Sequence, residues 1–226
     1  HGAVVNLDLR HLGAAKLHER LPLICELAQE FLGVDPVHTP IPVLPAVHYT
    51  MGGILANGKT ASPLPGLYSV GECSSVGIHG ANRLGSNSLP ELFVFGTRAG
   101  RAAAWYTLRA KEPTQAVVAQ AADERRRLEE DVLGREGGED RISAIRTAMQ
   151  STMEESAGIY RTGDSLAKGA DALRELQERL PRATLDDRSR AFNTELVAAI
   201  EQAAMLDVSE AIVQSAIRRE ESRGAH

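Results

Sequence analysis

The residues best equipped for chemistry lie between His48 and Leu89. An imidazole at His48 is followed thirty-five positions later by the guanidinium of Arg83. A guanidinium presents a planar fork of donors that matches a carboxylate bidentately, and an imidazole donates to an oxyanion in either tautomer. Between them stand Glu72, His79 and Asn82, set among glycines at 52, 53, 58, 66, 71, 77 and 80. Glycine at that density lets backbone approach a ligand closely, and the polar groups suit an anionic or polar one. Composition alone also fits a turn-rich surface loop.

Those side chains need elements to hold them. Residues 65–72, PGLYSVGE, read as a turn and a short buried strand, with Gly71 and Glu72 at its carboxyl end, the edge where open parallel sheets bind ligands. The run SNSLPE, Ser86 to Glu91, reads as a helix start: Asn87 or a serine caps, Pro90 fits the first turn, and Glu91 faces the positive end of the dipole. Such an end offers free N–H groups to an anion. Small residues at 96, 99, 100 and 102–104 predict close packing of this helix, with Trp105 in the core.

Around this centre, residues 3–9 read as a strand, and 16–32 as a helical stripe that Pro22 starts or kinks and Gly33 stops. Prolines at 36, 40, 42 and 45 forbid helix and impose an extended connection. Beyond Pro113, helical periods run over 114–133, 139–157, 164–180 and 188–223, the last as one or two segments near Leu206 and Asp207. Short gaps between them predict antiparallel neighbours in a bundle. Charge shifts at the same point: residues 1–113 hold nine Lys or Arg against eight Asp or Glu, and the remainder sixteen against twenty-two.

The net charge of −5 gives no reason to expect a nucleic-acid partner. Cys25 and Cys73 lack metal-ligand or redox spacing, so free thiols and no metal site are expected. No apolar run approaches the roughly 18 residues of a membrane span.

HYTMGGI, a short apolar strand ending in GE, and HGANRLGSNSL with a helix behind it resemble the flavoprotein subunit of fumarate reductase and succinate dehydrogenase. LDLRHLG, IPVLPAVHYTMGG and RREESRGAH extend the likeness over nearly the whole chain. The resemblance implies an α/β flavin-domain segment, an incomplete Rossmann-like FAD-binding fold. With it come the end of an α+β capping domain and a carboxy-terminal helical bundle, divided as 1–46 capping domain, 47–110 FAD-binding domain and 111–226 bundle. His48 and Arg83 would bind the carboxylates of fumarate or succinate, and Tyr49, Gly71, Glu72, Ser88 and Leu89 would lie at FAD. Pro90 departs from the small or aliphatic residue expected at its place. The acid/base arginine and the histidine that links FAD are expected upstream, since the sequence has no GxGxxG turn. The chain then reads as a carboxy-terminal portion, inactive alone. An iron–sulfur subunit, membrane anchors and a quinone are the implied partners, at the cytoplasmic face of the cell membrane. L-Aspartate oxidase shares a similar HY..GG and HGANRL..NS arrangement and is one alternative. A non-catalytic helical docking module is another.

Overall fold

Strand β1 (Val5–Leu7) pairs antiparallel with β2 (Ile41–Val43), Val5 opposite Val43 and Leu7 opposite Ile41. The computed structural model describes residues 4–112, 114–224 and 226, and the chain divides into two units, His1–Ala46 and Val47–His226. In the first unit the stripe from 16 to 32 forms two helices, α1 (Ala14–Arg20) and α2 (Pro22–Leu32). Pro22 is the reason. It occupies the first helical position, where its missing N–H costs no hydrogen bond, and Leu21 before it leaves helical geometry. Gly33 closes α2 in the left-handed conformation, its N–H bonded to the Gln29 carbonyl. Leu17 is fully buried, with Ala28 and Ile41 close to it in burial.

The second unit opens with β3 (Ile54–Leu55), which pairs in parallel with β4 (Ser74–Ser75). The strand expected within 65–72 is not there. Tyr68 makes a single antiparallel bridge to Ala61, and the backbone turns at Gly71, φ +79°, where the Ser74 N–H returns to the Gly71 carbonyl at 2.9 Å. Glu72 therefore precedes the paired strand instead of ending it. Helix α3 (Ser88–Thr107) follows. Its flank is fastened at three places: Leu92 lies against Gly71, Arg98 donates to the Gly58 carbonyl at 3.0 Å, and Tyr106 meets Gly66 and the edge of Tyr68. Trp105 is not core; it is 59 % exposed, with the Arg109 guanidinium 3.7 Å from its ring centre. The close packing expected at Gly96 and Gly100 is not seen either, since a Cβ at either would meet nothing within 4 Å.

Helices α4 (Gln115–Arg127), α5 (Ile142–Ala157), α6 (Gly163–Arg179) and α7 (Thr194–Ile217) make the helical part, α4 running on into a π turn, Leu128–Leu133. Ile142, Ile145 and Met149 from α5, Leu166, Leu173 and Leu176 from α6, and Leu206 and Val213 from α7 share one core. Each such side chain taken from water contributes about 1.5–3 kcal/mol, which makes this core the main support of the helical part. Close approach of α5 and α6 depends on Gly169, where a Cβ would press on Ser156. Thr162 and Ser165 start α6 with a reciprocal capping box. α7 is one unbroken helix: Leu206 turns inward and Asp207 outward, so the polar residue reads as surface and not as a stop. The charged run 123–130 is a solvated face whose exposed pairs, Arg126–Asp123 and Arg127–Glu124, add little stability.

Short strands β5 (Asp140–Arg141) and β6 (Ala183–Thr184) pair in parallel beside this core. Arg179, ending α6, clamps Asp140 with two bonds of 2.7 and 2.9 Å. The Arg179 hydrogen bonds hold the Asp140 carboxyl below its ordinary 3.8. A carboxyl so lowered adds stability that is fully present above its unfolded value and is lost as pH falls through the folded one. Asp140→Asn is therefore expected to lower the melting temperature at pH 7, with the gap from the parent protein closing progressively below about pH 4. A gap of equal size at pH 7 and pH 3 would contradict the clamp.

Candidate active site

The HYTMGG and HGANRLGSNS segments meet at the start of α3, on a buried carboxylate. Glu91 lies in the first turn of that helix, yet it is only 3 % exposed, so complementing the dipole is not its main role. Its Oε2 lies 2.6 Å from His79 Nε2 and accepts the Tyr49 hydroxyl at 3.3 Å. A carboxylate taken from water needs such partners, because an unpaired buried charge is strongly destabilising. Tyr49 and His79 also touch edge to face, ring centres 5.6 Å apart. Burial, then the negative charges of Glu91 and Glu72, raise the Tyr49 phenol above its ordinary 10.0. It stays protonated, as a donor must.

Arg83 rests on the other side of this group. Its Cζ is 4.6 Å from the Tyr49 ring centre, Nη1 donates to the Leu84 carbonyl at 3.1 Å, and Nε is buried with no partner among the described residues. The guanidinium is thus oriented by a ring face, with donors still to be satisfied. His48, next to Tyr49 in the chain, is exposed. The fold thus sets Arg83 against the neighbour of His48.

Glu72 ties the two loops together: its Oε1 accepts the Thr50 N–H at 2.9 Å, and the residue is exposed. Gly71 is buried against Leu92 of α3, where a Cβ would come within 2.8 Å of that side chain. Gly53, at φ +109°, lies so close to the Cys73 carbonyl that no Cβ fits. At the helix start Ser88 is partly buried and Leu89 is 63 % exposed. Asn87 or a serine is the expected cap; Asn87 holds the N-cap position, without a side-chain cap bond. The first-turn amides are left uncapped by that side chain. Pro90 falls in the same turn, where a missing N–H costs no intrahelical bond. A cavity of about 130 Å³ lies beside the buried pair, lined by residues 74–80 with Gly52 and Glu91.

His79, expected either to brace the loop or to meet a ligand, bonds to Glu91 in the first turn of α3. Glu91 itself was missed as a site residue. The only signal was an acid beside apolar Leu92 and Phe93, and that pattern fits a helix start equally well. Cys25 and Cys73 are free thiols, and no cluster able to hold a metal ion occurs among the described residues.

Residues 1–89 match the family model described as FAD binding domain, and residues 146–226 the model described as fumarate reductase flavoprotein C-term. The fumarate reductase flavoprotein subunit of Mycobacterium tuberculosis is 54 % identical over 230 residues, covering 100 % of this chain and 40 % of the relative. The succinate dehydrogenase flavoprotein subunit of Rickettsia bellii is 40 % identical, covering 100 % and 39 %. A solved structure of a point mutant of E. coli quinol fumarate reductase FrdA superposes with a TM-score of 0.94 at 52 % identity, covering 100 % of this chain and 38 % of that one. The chain therefore spans about two fifths of the length of the curated relatives it matches. The fold is the expected one, a flavin-domain segment and capping-domain end with a helical bundle. Similar along its full length to both kinds of enzyme, the chain belongs to the fumarate reductase and succinate dehydrogenase flavoprotein family.

Proposed function

We propose that this chain supplies the dicarboxylate-binding and flavin-facing part of an FAD-dependent flavoprotein subunit that interconverts fumarate and succinate. The observation that carries the reading is Arg83, seated on the ring of Tyr49 beside His48, with a buried Nε donor that has no partner among the described residues. In this reading Arg83 pairs one carboxylate of the substrate bidentately, and His48 donates to the other. Donors at two ends orient a four-carbon diacid and favour it over a monoacid of the same length.

The residues present fit FAD. Glu72 keeps a second carboxylate oxygen for a ribitol or ribose hydroxyl, and Gly71 beside it, packed on Leu92, turns the backbone that carries Glu72. Tyr49 lines the approach. The amides at Ser88 and Leu89, where α3 begins without a side-chain cap, would hold the flavin and stabilise negative charge gathering on it. FAD, when bound, supplies hydride transfer to and from the dicarboxylate. The acid/base arginine and any flavin-linking histidine belong, in this proposal, to the length of the relatives that this chain does not span.

Electrons would pass to an iron–sulfur subunit and on to a quinone at membrane anchors, with this subunit peripheral at the cytoplasmic face of the cell membrane. A similar solved structure, a quinol-fumarate reductase with menaquinol molecules, supports that. The test is substrate choice. The full-length flavoprotein should oxidise succinate with a dye acceptor and leave L-aspartate untouched; oxidation of aspartate in place of succinate would transfer the reading to L-aspartate oxidase.

A further inference from the structure

We propose that Glu91 is a positioning residue for substrate binding, which acts through Tyr49 to set the guanidinium of Arg83. The inference rests on the carboxylate role of Arg83 proposed above. Three contacts make the chain of action. Glu91 is 2 % exposed at its side chain and is held by His79, itself 10 % exposed, at 2.6 Å. The same Glu91 oxygen takes the Tyr49 hydroxyl at 3.3 Å, so the phenol ring is tethered at its far end. That ring then presents its face to Arg83 at 4.6 Å.

Each contact has a physical reason to be stiff. The anchor is the first turn of a twenty-residue helix, which is fastened further along by Leu92, Arg98 and Tyr106. Buried polar groups in contact polarise one another and fix a single arrangement. A ring with one tethered end has one orientation, and a cation on its face is held by the ring quadrupole. The guanidinium has few other restraints: Nη1 reaches only the carbonyl of its own neighbour, Leu84, and Nε has no partner among the described residues. Bidentate pairing with a carboxylate depends on the plane of the fork, so a slackened ring costs binding even with Arg83 intact.

The test is a double-mutant cycle in the full-length flavoprotein with FAD bound, read by the equilibrium binding of malonate through flavin absorbance and by the KM and kcat of succinate oxidation. Glu91→Gln should weaken malonate about 5- to 10-fold and raise KM more than it lowers kcat. In the Arg83→Lys background, which has no planar fork to orient, the same substitution should change malonate binding less than 2-fold. Tyr49→Phe keeps the ring and removes the tether while leaving Glu91 its contact with His79, and should reproduce the Glu91→Gln effect. Equal losses in both backgrounds would overturn the inference, because Glu91 would then act independently of Arg83. No loss for either Glu91→Gln or Tyr49→Phe in the Arg83 parent would overturn it as well. An Arg83→Lys protein that binds malonate and turns over succinate like the parent would instead overturn the carboxylate role of Arg83, and this inference with it.

Discussion

Arg83→Ala in the full-length flavoprotein is expected to lower kcat/KM for succinate by roughly 10²- to 10⁴-fold while FAD stays bound. Two charge-assisted hydrogen bonds are worth about 1.5–3 kcal/mol each, and about 1.4 kcal/mol is a factor of ten. Arg83 is only partly buried, and the one hydrogen bond its guanidinium makes among the described residues is to the Leu84 carbonyl, so truncation removes little from the fold. Loss of turnover should therefore appear without matching loss of melting temperature or of flavin. Comparing flavin content, thermal unfolding and steady-state kinetics separates the two effects, and near-normal rates would remove Arg83 from the site.

The second large effect falls on backbone. Gly53 combines φ +109° with a position where an added Cβ runs into the Cys73 carbonyl. That carbonyl cannot move aside, because it accepts the Ile54 N–H at 2.8 Å in the β3–β4 pairing. Gly53→Ala therefore incurs strain of about 1–3 kcal/mol together with an overlap of about 1–3 kcal/mol. The HYTMGG and GEC segments should lose their register, and FAD retention with it. Gly77→Ala is the control: φ is +85° there, but a Cβ meets nothing within 4 Å, so strain acts alone. Thermal unfolding should rank Gly53→Ala well below Gly77→Ala, and equal melting temperatures would contradict the contact.

What could be read in advance follows from how far each cause extends along the chain. Helices α5 and α6 were legible because Ile142, Ile145 and Met149, and Leu166, Leu173 and Leu176, repeat at helical spacing toward one core. Pro22 and Gly33 act on their own backbone, and both marked real boundaries, although Pro22 starts a second helix where one stripe was expected. The paired strand of the site could not be found the same way. Ser74–Ser75 has two residues and no apolar side chain, and the apolar LYSV before it draws attention to a stretch that only bridges Ala61. Trp105 misled by its size: apolar area predicts burial only where something covers it, and the described residues offer the stack on Arg109 instead.

The candidate site shows the same division. His48 and Arg83 stood out by type and motif, whereas the bond joining His79 to Glu91 spans twelve residues and a helix start. Neither side chain alone signals it. A histidine amid glycines and an acid at an N-terminus both have ordinary explanations, and burial supplies the information that sequence lacks.

The most direct test of the central claim is a crystal structure of the full-length flavoprotein, with FAD, grown in the presence of fumarate or malonate. One carboxylate of the diacid should pair with the Arg83 guanidinium and the other lie within hydrogen-bond distance of His48, beside the start of α3. A diacid bound elsewhere, or Arg83 turned to a protein carboxylate with the ligand in place, would contradict it.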